Sequence, residues 1–446
     1  MKGGGLFALY LPPLGGGKGG PKVEEEVQSL ASRAVHALLH RGGRVLGLTP
    51  PERRVSVPEG ETEERGRDGG PRVAVGIGES SPVRLGSGAL GALALALAEG
   101  GGWIDVSPSD VASGEGAVAY LGPLAPEEAE GVRAVLAGRP WPAALPSPYA
   151  AVMVERDGLS AVRDATGVYP LFVGRKGDLV ALASETSPLE ALGFSVSEVR
   201  AGQVSRWRWN GSEMRYIPRP LPGTPEGGEE PAPRRDANSF ARGVCAFELL
   251  YVSRPDSRLF GVSLYAARKR LGEELARRAP AEADMVVYAP DTAFPQALGY
   301  AQTLGLPLEG VLVKSPAAPR SFLLAQGERD AVLEAKFALV RELVHGKRLV
   351  LVDDSLVYGS TAARLLKLLR DAGARAVHVR IASPPVTAPC VYGFFGPETP
   401  PMGVMSRGEL AAHIGADSLA YLDFETFAAL FPRGSVCTAC LVPRDG

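Results

Sequence analysis

The sequence lacks the features that mark several classes of protein. Its longest apolar run, residues 89–98, is interrupted by Gly91 and falls well short of the roughly 20 residues that cross a bilayer. Basic and acidic residues nearly cancel, 48 against 50, so no charged surface for nucleic acid or a membrane is indicated. Residues 1–14 carry one Lys and are broken by Pro12 and Pro13, unlike a signal peptide. We therefore expect a cytoplasmic protein with no nucleic-acid or membrane partner.

Histidine and cysteine are also scarce. The five histidines are scattered and have no acid or thiol nearby in the sequence with which to form a ligand set. The cysteines all lie beyond residue 244, at Cys245, Cys390, Cys437 and Cys440. Four thiols with one C-x-x-C pair suit a thiolate site for zinc or an iron–sulfur centre. Two disulfides, or separate thiols in the core, are the alternatives that spacing leaves open.

The length and the pattern of the chain predict at least two domains. The chain has 446 residues, of which 45% are hydrophobic, enough for large cores. Short strands and turns prevail up to about residue 235, and the Gly- and Pro-rich stretch 218–235 has the composition of a linker. Strands then alternate with helical patterns, which predicts a parallel sheet and an α/β fold. We place the domains at 1–235 and 236–446.

The clearest local pattern is a βαβ unit at residues 348–382. Leu349 to Val352 predict a strand buried on both faces, and the adjacent acids Asp353 and Asp354 follow it. A short loop then leads to an amphipathic helix that ends at Gly373. Gly359 frees the backbone of this loop. The hydroxyls that we expect to cap the helix belong to Ser360 and Thr361.

This unit suits the binding of an anion at the carboxyl end of a parallel sheet. The N–H groups at the start of a helix, together with the Ser360 and Thr361 hydroxyls, can hold a phosphate monoester. Paired acids in front of them can hold ribose hydroxyls, or Mg²⁺ through water. The pattern alone is common in α/β proteins, so it indicates phosphate binding without specifying a ligand.

The full string VLVDDSLVYGSTAARLLKLLRDAGARAVHVRIASPP is more specific. It resembles the motif for 5-phosphoribosyl 1-pyrophosphate (PRPP) in the glutamine PRPP amidotransferases, or amidophosphoribosyltransferases, of purine synthesis. The strings CAFELLYVSRPDS from Cys245 onward and HIGADSLAYLDFETFAALF near the end also resemble this family, and DGLSAVRDATGVYPLFVG resembles its glutaminase domain. The resemblance implies an α+β glutaminase-like sandwich followed by a parallel-sheet, type I phosphoribosyltransferase domain.

The resemblance also implies a set of site residues. Asp353 and Asp354 would serve the ribose and Mg²⁺, with Thr292 near the metal or, alternatively, capping a helix. The pyrophosphate loop would be Ala289-Pro290-Asp291-Thr292, and Lys314 and Arg320 would lie at the two ends of a loop that closes over PRPP. The residues that would bind the 5-phosphate lie between Ser355 and Thr361, and include Ser355, Gly359, Ser360 and Thr361.

Two departures from the family lie in this second half. Tyr358 stands where the family has Arg, which removes a fixed cation from the phosphate loop. The closing loop between Lys314 and Phe322 has lost its Arg and Tyr and contains Pro316 and Pro319, which restrict hinge motion. We expect PRPP to bind and turnover to be slow.

The glutaminase half departs further from the family. Lys2 occupies the position of the cysteine nucleophile, and the first hydroxyl residue is Ser29. Residues 78–85 do not match the segment that grips glutamine, and the chain has no Asn before Asn210 to donate to an oxyanion. We therefore expect a degenerate glutaminase domain without catalytic residues.

For the cysteines, the resemblance favours one alternative. One branch of the family carries a [4Fe-4S] cluster on four cysteines, and Cys245, Cys390, Cys437 and Cys440 match all four positions. The expected cofactors are therefore this cluster and Mg²⁺. The cluster would tie the start of the second domain to the C-terminus.

The expected function is the conversion of PRPP and ammonia to 5-phosphoribosylamine and pyrophosphate by a homo-oligomeric protein, with ammonia supplied by another protein. The main alternative is a catalytically silent paralogue that binds PRPP or nucleotide and regulates an active relative. A different phosphoribosyltransferase reaction is a weaker alternative, because the likeness outside the PRPP motif is specific to the amidotransferases.

Overall fold

A computed structural model gives the architecture of the chain. It divides into two compact units, Lys2–Val244 and Cys245–Gly446. The predicted boundary at 235/236 lies outside the described residues. Among the described residues, no helix is both long and apolar enough to span a membrane. The structure describes residues 6–10, 43–47, 83–86, 93–98, 101–104, 117–121, 124, 126–139, 145, 147–155, 158–210, 213–221, 243–314, 337–395 and 398–441.

Among its described residues, the first unit forms two mainly antiparallel sheets. One has seven strands in the order β11-β9-β10-β1-β4-β2-β3, and the other has six in the order β13-β12-β8-β7-β6-β5. The strands are β1 Leu6–Tyr10, β2 Gly43–Gly47, β3 Val83–Gly86, β4 Leu93–Ala98, β5 Gly101–Ile104, β6 Ala117–Leu121, β7 Ala150–Glu155, β8 Gly158–Arg163, β9 Phe172–Lys176, β10 Leu179–Ala183, β11 Ser195–Glu198, β12 Gln203–Trp209 and β13 Met214–Pro220, and the helices are α1 Pro126–Leu136 and α2 Thr186–Ala191.

Turn residues set the register of these sheets. Strands β9 and β10 pair antiparallel with Leu179 opposite Lys176, and Gly177 adopts a φ of 57° in the turn between them. A positive φ is easy for glycine, and the run Lys176-Gly177-Asp178, a sequence signal for a hairpin, forms the turn of one here. The sequence pattern also predicts an amphipathic helix at 27–40 and a charged, Gly- and Pro-rich loop at 51–71, and both lie outside the described residues.

The second unit is built on a five-stranded parallel sheet with the order β18-β17-β21-β22-β23. Its strands are β14 Val244–Cys245, β15 Arg258–Leu259, β16 Val262–Ser263, β17 Met285–Tyr288, β18 Leu308–Glu309, β19 Leu312–Lys314, β20 Phe337–Leu339, β21 Arg348–Asp353, β22 Ala376–Ile381, β23 Ser418–Tyr421 and β24 Val436–Cys437. Its helices are a π-helix at Glu248–Val252, α3 Leu264–Arg278, α4 Phe294–Leu304, α5 Ser360–Asp371, α6 Arg407–Ile414 and α7 Phe424–Ala429, with short 3₁₀ turns at Arg341–Leu343 and Pro401–Gly403.

The central βαβ unit has the predicted form. Strand β21 lies in the middle of the sheet, and its residues Leu349 to Val352 are almost completely buried because neighbours cover both faces. On α5, the buried residues include Leu365, Leu366 and Leu369, which recur at helical spacing and form the core-facing stripe. The predicted α/β fold with a parallel sheet is confirmed.

Candidate functional site

The paired acids lie where the central strand ends. The Asp354 backbone N–H donates to Asp353 Oδ1 at 2.8 Å, and the Ser355 hydroxyl donates to Asp354 Oδ1 at 2.8 Å. Asp354 is only 5% exposed, whereas Asp353 is half-buried. Two carboxylates are thus held side by side at the carboxyl edge of the sheet, where α/β proteins bind their ligands.

The loop after the neighbouring strand β17 reaches the same place. Its Ala289 N–H donates to the Val352 carbonyl at 3.0 Å, and the Pro290–Asp291 peptide bond is cis. The Thr292 hydroxyl donates to Asp354 Oδ2 across 62 residues of sequence. Thr292 does not cap helix α4, because the residue before that helix is Ala293. The structure therefore supports the placement of Thr292 beside the paired acids and excludes the helix-cap alternative.

A lysine faces the same loop. Lys314 Nζ lies 2.6 Å from Asp291 Oδ2, and both side chains retain exposure to solvent. Lys314 is the last residue of β19. Arg320, the other end of the predicted closing loop, lies outside the described residues. The structure thus brings Asp291 and Lys314 together as an exposed ion pair in the loop that carries Thr292.

The turn before α5 depends on a glycine. Gly359 has a φ of 82° and is the residue that precedes the helix, which begins at Ser360. A Cβ at this position would lie 3.2 Å from Ile414 Cγ2, so both the backbone and the space favour glycine. The expectation that Ser360 or Thr361 caps the helix was wrong, because both residues are inside its first turn. Their N–H groups therefore have no partner within the helix and point towards its N-terminal end, an arrangement that can bind an anion.

The electrostatics of the acid pair show that it is poised to accept positive charge. Burial raises the pKa of Asp353 well above its usual value, and the neighbouring charge of Asp354 raises it further. Burial also raises the pKa of Asp354, although hydrogen bonds from Thr292 and Ser355 and the charge of Arg268 oppose that rise. Carboxylate and hydroxyl oxygens are hard ligands that suit Mg²⁺, which proteins hold with one or two carboxylates plus substrate phosphates. Asp353, Asp354 and Thr292 fit this role.

Arg268 is a participant that the sequence reasoning missed. It lies on α3, is 1% exposed, and acts electrostatically on Asp354. Its guanidinium donates to the carbonyls of Leu249 and Ser253, each at 2.7 Å. Arg268 shares the buried face of α3 with Leu264, Leu271 and Leu275. An arginine at a core-facing helical position is the signal that could have identified it.

Tyr358 changes the surroundings of the phosphate loop. Its side chain is 38% exposed, and its hydroxyl donates to Glu398 Oε2 at 3.4 Å. Its ring meets that of Phe395 edge to face, with 6.4 Å between the centroids. A carboxylate therefore lies on this side of the loop in place of the cation that the resemblance would lead one to expect.

The four cysteines come together from three separate segments. Strand β14, with Cys245, pairs with β24, with Cys437, and the Thr387 N–H donates to the Cys440 carbonyl at 2.9 Å. All four thiols are free, and every one except the half-buried Cys390 is buried.

The thiols also influence one another electrostatically. Burial raises the pKa of Cys437 to about 11, with a contribution from the charge of Cys390. Burial also raises the pKa of Cys245, and the charges of Cys437 and Cys440 raise it further. Among the described residues, no three His, Cys, Asp or Glu side chains converge closely enough to hold a single metal ion. The chemistry of the set, four neighbouring thiols without disulfides, nonetheless fits a thiolate-bound group.

The chain matches known proteins over about two thirds of its length. The amidophosphoribosyltransferase of Archaeoglobus fulgidus is 36% identical over 312 residues, 66% of this chain and 62% of that protein. The Pyrococcus horikoshii protein of the same name is 38% identical over 295 residues, 66% of this chain and 61% of that protein. The chain is a homologue of the amidophosphoribosyltransferases. The predicted resemblance is confirmed, and the chain spans about three fifths of the length of these relatives.

Two solved structures with the same fold align with nearly the whole of this chain. The glutamine PRPP amidotransferase from B. subtilis, complexed with ADP and GMP, aligns with 98% of this chain and 96% of its own, with a TM-score of 0.67 and 23% identity. A structure of the allosteric regulatory enzyme of purine biosynthesis aligns with a TM-score of 0.66 and 24% identity. At these identities the comparison shows the fold, including the type I phosphoribosyltransferase architecture. No protein-family model matches the chain.

The glutaminase predictions for this homologue rest on sequence alone. Lys2 and residues 78–82 of the expected glutamine clamp lie outside the described residues. In the β-rich unit, strands β1 and β4 of the seven-stranded sheet lie near strands of the six-stranded sheet, as in a sandwich of two sheets.

Proposed function

We propose that this amidophosphoribosyltransferase homologue converts PRPP and ammonia to 5-phosphoribosylamine and pyrophosphate in purine biosynthesis. The observation that carries the proposal is the junction of two adjacent strand ends, where the Thr292 hydroxyl is bonded to the buried Asp354. This junction unites the pyrophosphate loop with the acid pair and, through the following turn, with the start of α5. Each part of PRPP would thus have a matching group at one edge of the sheet.

The reaction needs positioning and charge neutralisation more than a protein nucleophile. The nitrogen lone pair of ammonia attacks C1 of the ribose, and the bond from C1 to the pyrophosphate oxygen breaks with its electron pair leaving on pyrophosphate. The ammonium group formed on C1 then loses a proton to solvent. Asp353 would orient the ribose hydroxyls, and the first turn of α5 would hold the 5-phosphate, so that C1 stays in line with the leaving group.

Mg²⁺ and an iron–sulfur cluster belong to the same proposal. Mg²⁺, when bound by Asp353, Asp354 and Thr292, would neutralise the charge that collects on pyrophosphate. The cysteine set would hold a [4Fe-4S] cluster with a structural role, tying the start of the second unit to its C-terminal segment. Four free thiols that act on one another electrostatically support this assignment.

The nitrogen source would be ammonia and not glutamine. Residues 78–85 do not match the segment that would grip glutamine, and no Asn precedes Asn210 to donate to an oxyanion. A partner protein would therefore supply ammonia to a homo-oligomer located in the cytoplasm. Pyrophosphate release measured anaerobically with PRPP and Mg²⁺ tests this. We expect turnover with ammonium and none with glutamine; equal turnover with glutamine would refute the loss of the glutaminase.

A second candidate function is favoured by the Tyr358–Glu398 contact. A carboxylate beside the phosphate loop and the absence of the expected arginine both weaken the binding of an anionic substrate. The chain would then bind PRPP or nucleotide without turnover and regulate an active amidotransferase. Affinity capture from cells separates the two, because only this function requires co-assembly with an active relative. PRPP turnover by the purified chain alone would reject it.

A further inference from the structure

A buried side chain just after the pyrophosphate loop forms a further bond to the interior of the second unit. Gln296 lies in the first turn of α4, four residues after Thr292, and is completely buried. Its amide Nε2 donates to the Leu250 carbonyl at 3.0 Å. Leu250 belongs to the π-helix Glu248–Val252, so the bond joins the start of α4 to an element more than forty residues away.

The amide of Gln296 is only half satisfied. Its Oε1 is buried and has no hydrogen-bond partner among the described residues. An unsatisfied buried acceptor is unfavourable, and a residue of this kind in a core calls for an explanation other than packing. The hydrogen bond from Nε2 to the Leu250 carbonyl is the single polar interaction of this side chain within the part of the chain that the structure describes.

The element that Gln296 contacts is itself firmly held. Arg268 donates to the carbonyls of Glu248, Leu249 and Ser253, at 3.1, 2.7 and 2.7 Å, and so fixes both ends of the π-helix. Irregular helices of this type occur frequently at functional sites. The π-helix is therefore a fixed reference within the second unit, and Gln296 is bonded to its middle.

Helix α4 also packs closely against α3. It crosses α3 so closely that a Cβ on Gly272 would lie 1.8 Å from the Gln296 carbonyl oxygen, and one on Gly299 would lie 2.0 Å from the Lys269 carbonyl oxygen. The crossing holds α4 against α3 at Gln296 and Gly299, and the side-chain bond of Gln296 adds a separate attachment of the first turn to the π-helix. Displacement of that turn would carry Thr292 away from Asp354.

We propose that Gln296 is a positioning residue that holds the pyrophosphate loop in its PRPP-binding position by bonding the first turn of α4 to the π-helix. This proposal rests on the proposed function for the identity of the ligand. The bond itself is a property of the apo protein, so it has a readout that does not require turnover or PRPP.

The test compares Gln296→Met with Gln302→Met, an identical change on the exposed side of the same helix. Met matches Gln in length. The change removes the buried Oε1 that has no partner and leaves the Leu250 carbonyl without its donor, so the overall stability should change little. Amide hydrogen exchange of residues 289–294 and the PRPP dissociation constant with Mg²⁺ are measured for both variants and the wild type. Gln296→Asn, one methylene shorter, replaces Gln296→Met if the latter loses its cooperative thermal transition.

We expect Gln296→Met to exchange these amides about tenfold faster and to bind PRPP about tenfold more weakly, as the loss of one buried hydrogen bond implies. Gln302→Met should match the wild type in both measurements. Exchange in Gln296→Met equal to that of the wild type would overturn the proposal. A wild-type protein that does not bind PRPP would reject the proposed function instead, and the exchange comparison would still decide the role of Gln296.

Discussion

Replacing Tyr358 by Arg should strengthen PRPP binding. A hydrogen bond between a guanidinium and a phosphate contributes about 1.5–3 kcal/mol. Part of this gain is offset, because Glu398, whose Oε2 lies 3.4 Å from the Tyr358 hydroxyl, would compete for the new cation. An exposed ion pair of that kind is worth at most about 1 kcal/mol. The difference of roughly 1.5 kcal/mol corresponds to about tenfold tighter binding of PRPP.

The assay is calorimetric titration of PRPP in the presence of Mg²⁺ at two salt concentrations. The gain from Tyr358→Arg should shrink at high salt, since the site is open to solvent and ions screen it. Adding Glu398→Gln to Tyr358→Arg should increase the gain, because the competing carboxylate is removed. Tyr358→Phe is the matched control: it keeps the ring against Phe395, loses the contact with Glu398, and should bind within about twofold of the wild type. No gain in either arginine variant would refute the placement of the 5-phosphate beside Tyr358.

Three further changes test other parts of the account. Asp354→Asn should stabilise the Mg²⁺-free protein at pH 7 and have no such effect near pH 4. The pKa values of the acid pair are raised in the folded protein, so the wild type loses stability as the pH rises above 3.8, the usual pKa of an aspartate. Thermal melts in EDTA at both pH values measure this. Gly359→Ala should cost about 1–2 kcal/mol of folding stability, since its φ is 82°, and should weaken PRPP binding. Cys437→Ser should abolish a content of about four iron and four sulfide per chain.

Each of these has a result that contradicts it. Equal pH dependence of stability in Asp354→Asn and the wild type would mean that the acid pair does not repel itself in the folded protein. A Gly359→Ala protein with unchanged stability would mean that the turn before α5 differs from the one described. Stoichiometric zinc without sulfide in the wild type would reject the iron–sulfur cluster.

Patterns within a few residues of one another were predictable. The burial of β21 follows from four consecutive apolar residues, and the face of α5 follows from leucines at helical spacing. The adjacency of Asp353 and Asp354 to that strand fixed their place at the sheet edge, whatever the rest of the fold. The predicted capping residue of α5 was wrong. Gly359, which has a positive φ, precedes the helix at the position where a hydroxyl residue was expected.

Contacts across long sequence separations were not predictable from the pattern. The bond from Thr292 to Asp354 depends on the parallel register of β17 and β21, in which Tyr288 lies opposite Val352. The sequence pattern does not single out Gln296, and only the crossing of α3 and α4 shows that it is buried. The sequence of a single helix or strand predicts which of its faces is buried, whereas the packing of several elements decides which polar side chains contact one another.

We propose above all that the edge of the sheet formed by the ends of β17 and β21 binds PRPP with Mg²⁺. Titration of PRPP into the purified chain, with and without Mg²⁺ and with Asp353→Asn as the comparison, tests it most directly. The account predicts saturable binding of one PRPP per chain that requires Mg²⁺ and falls by at least tenfold in Asp353→Asn. Absence of binding by the wild type, or binding that Asp353→Asn leaves unchanged, would contradict it.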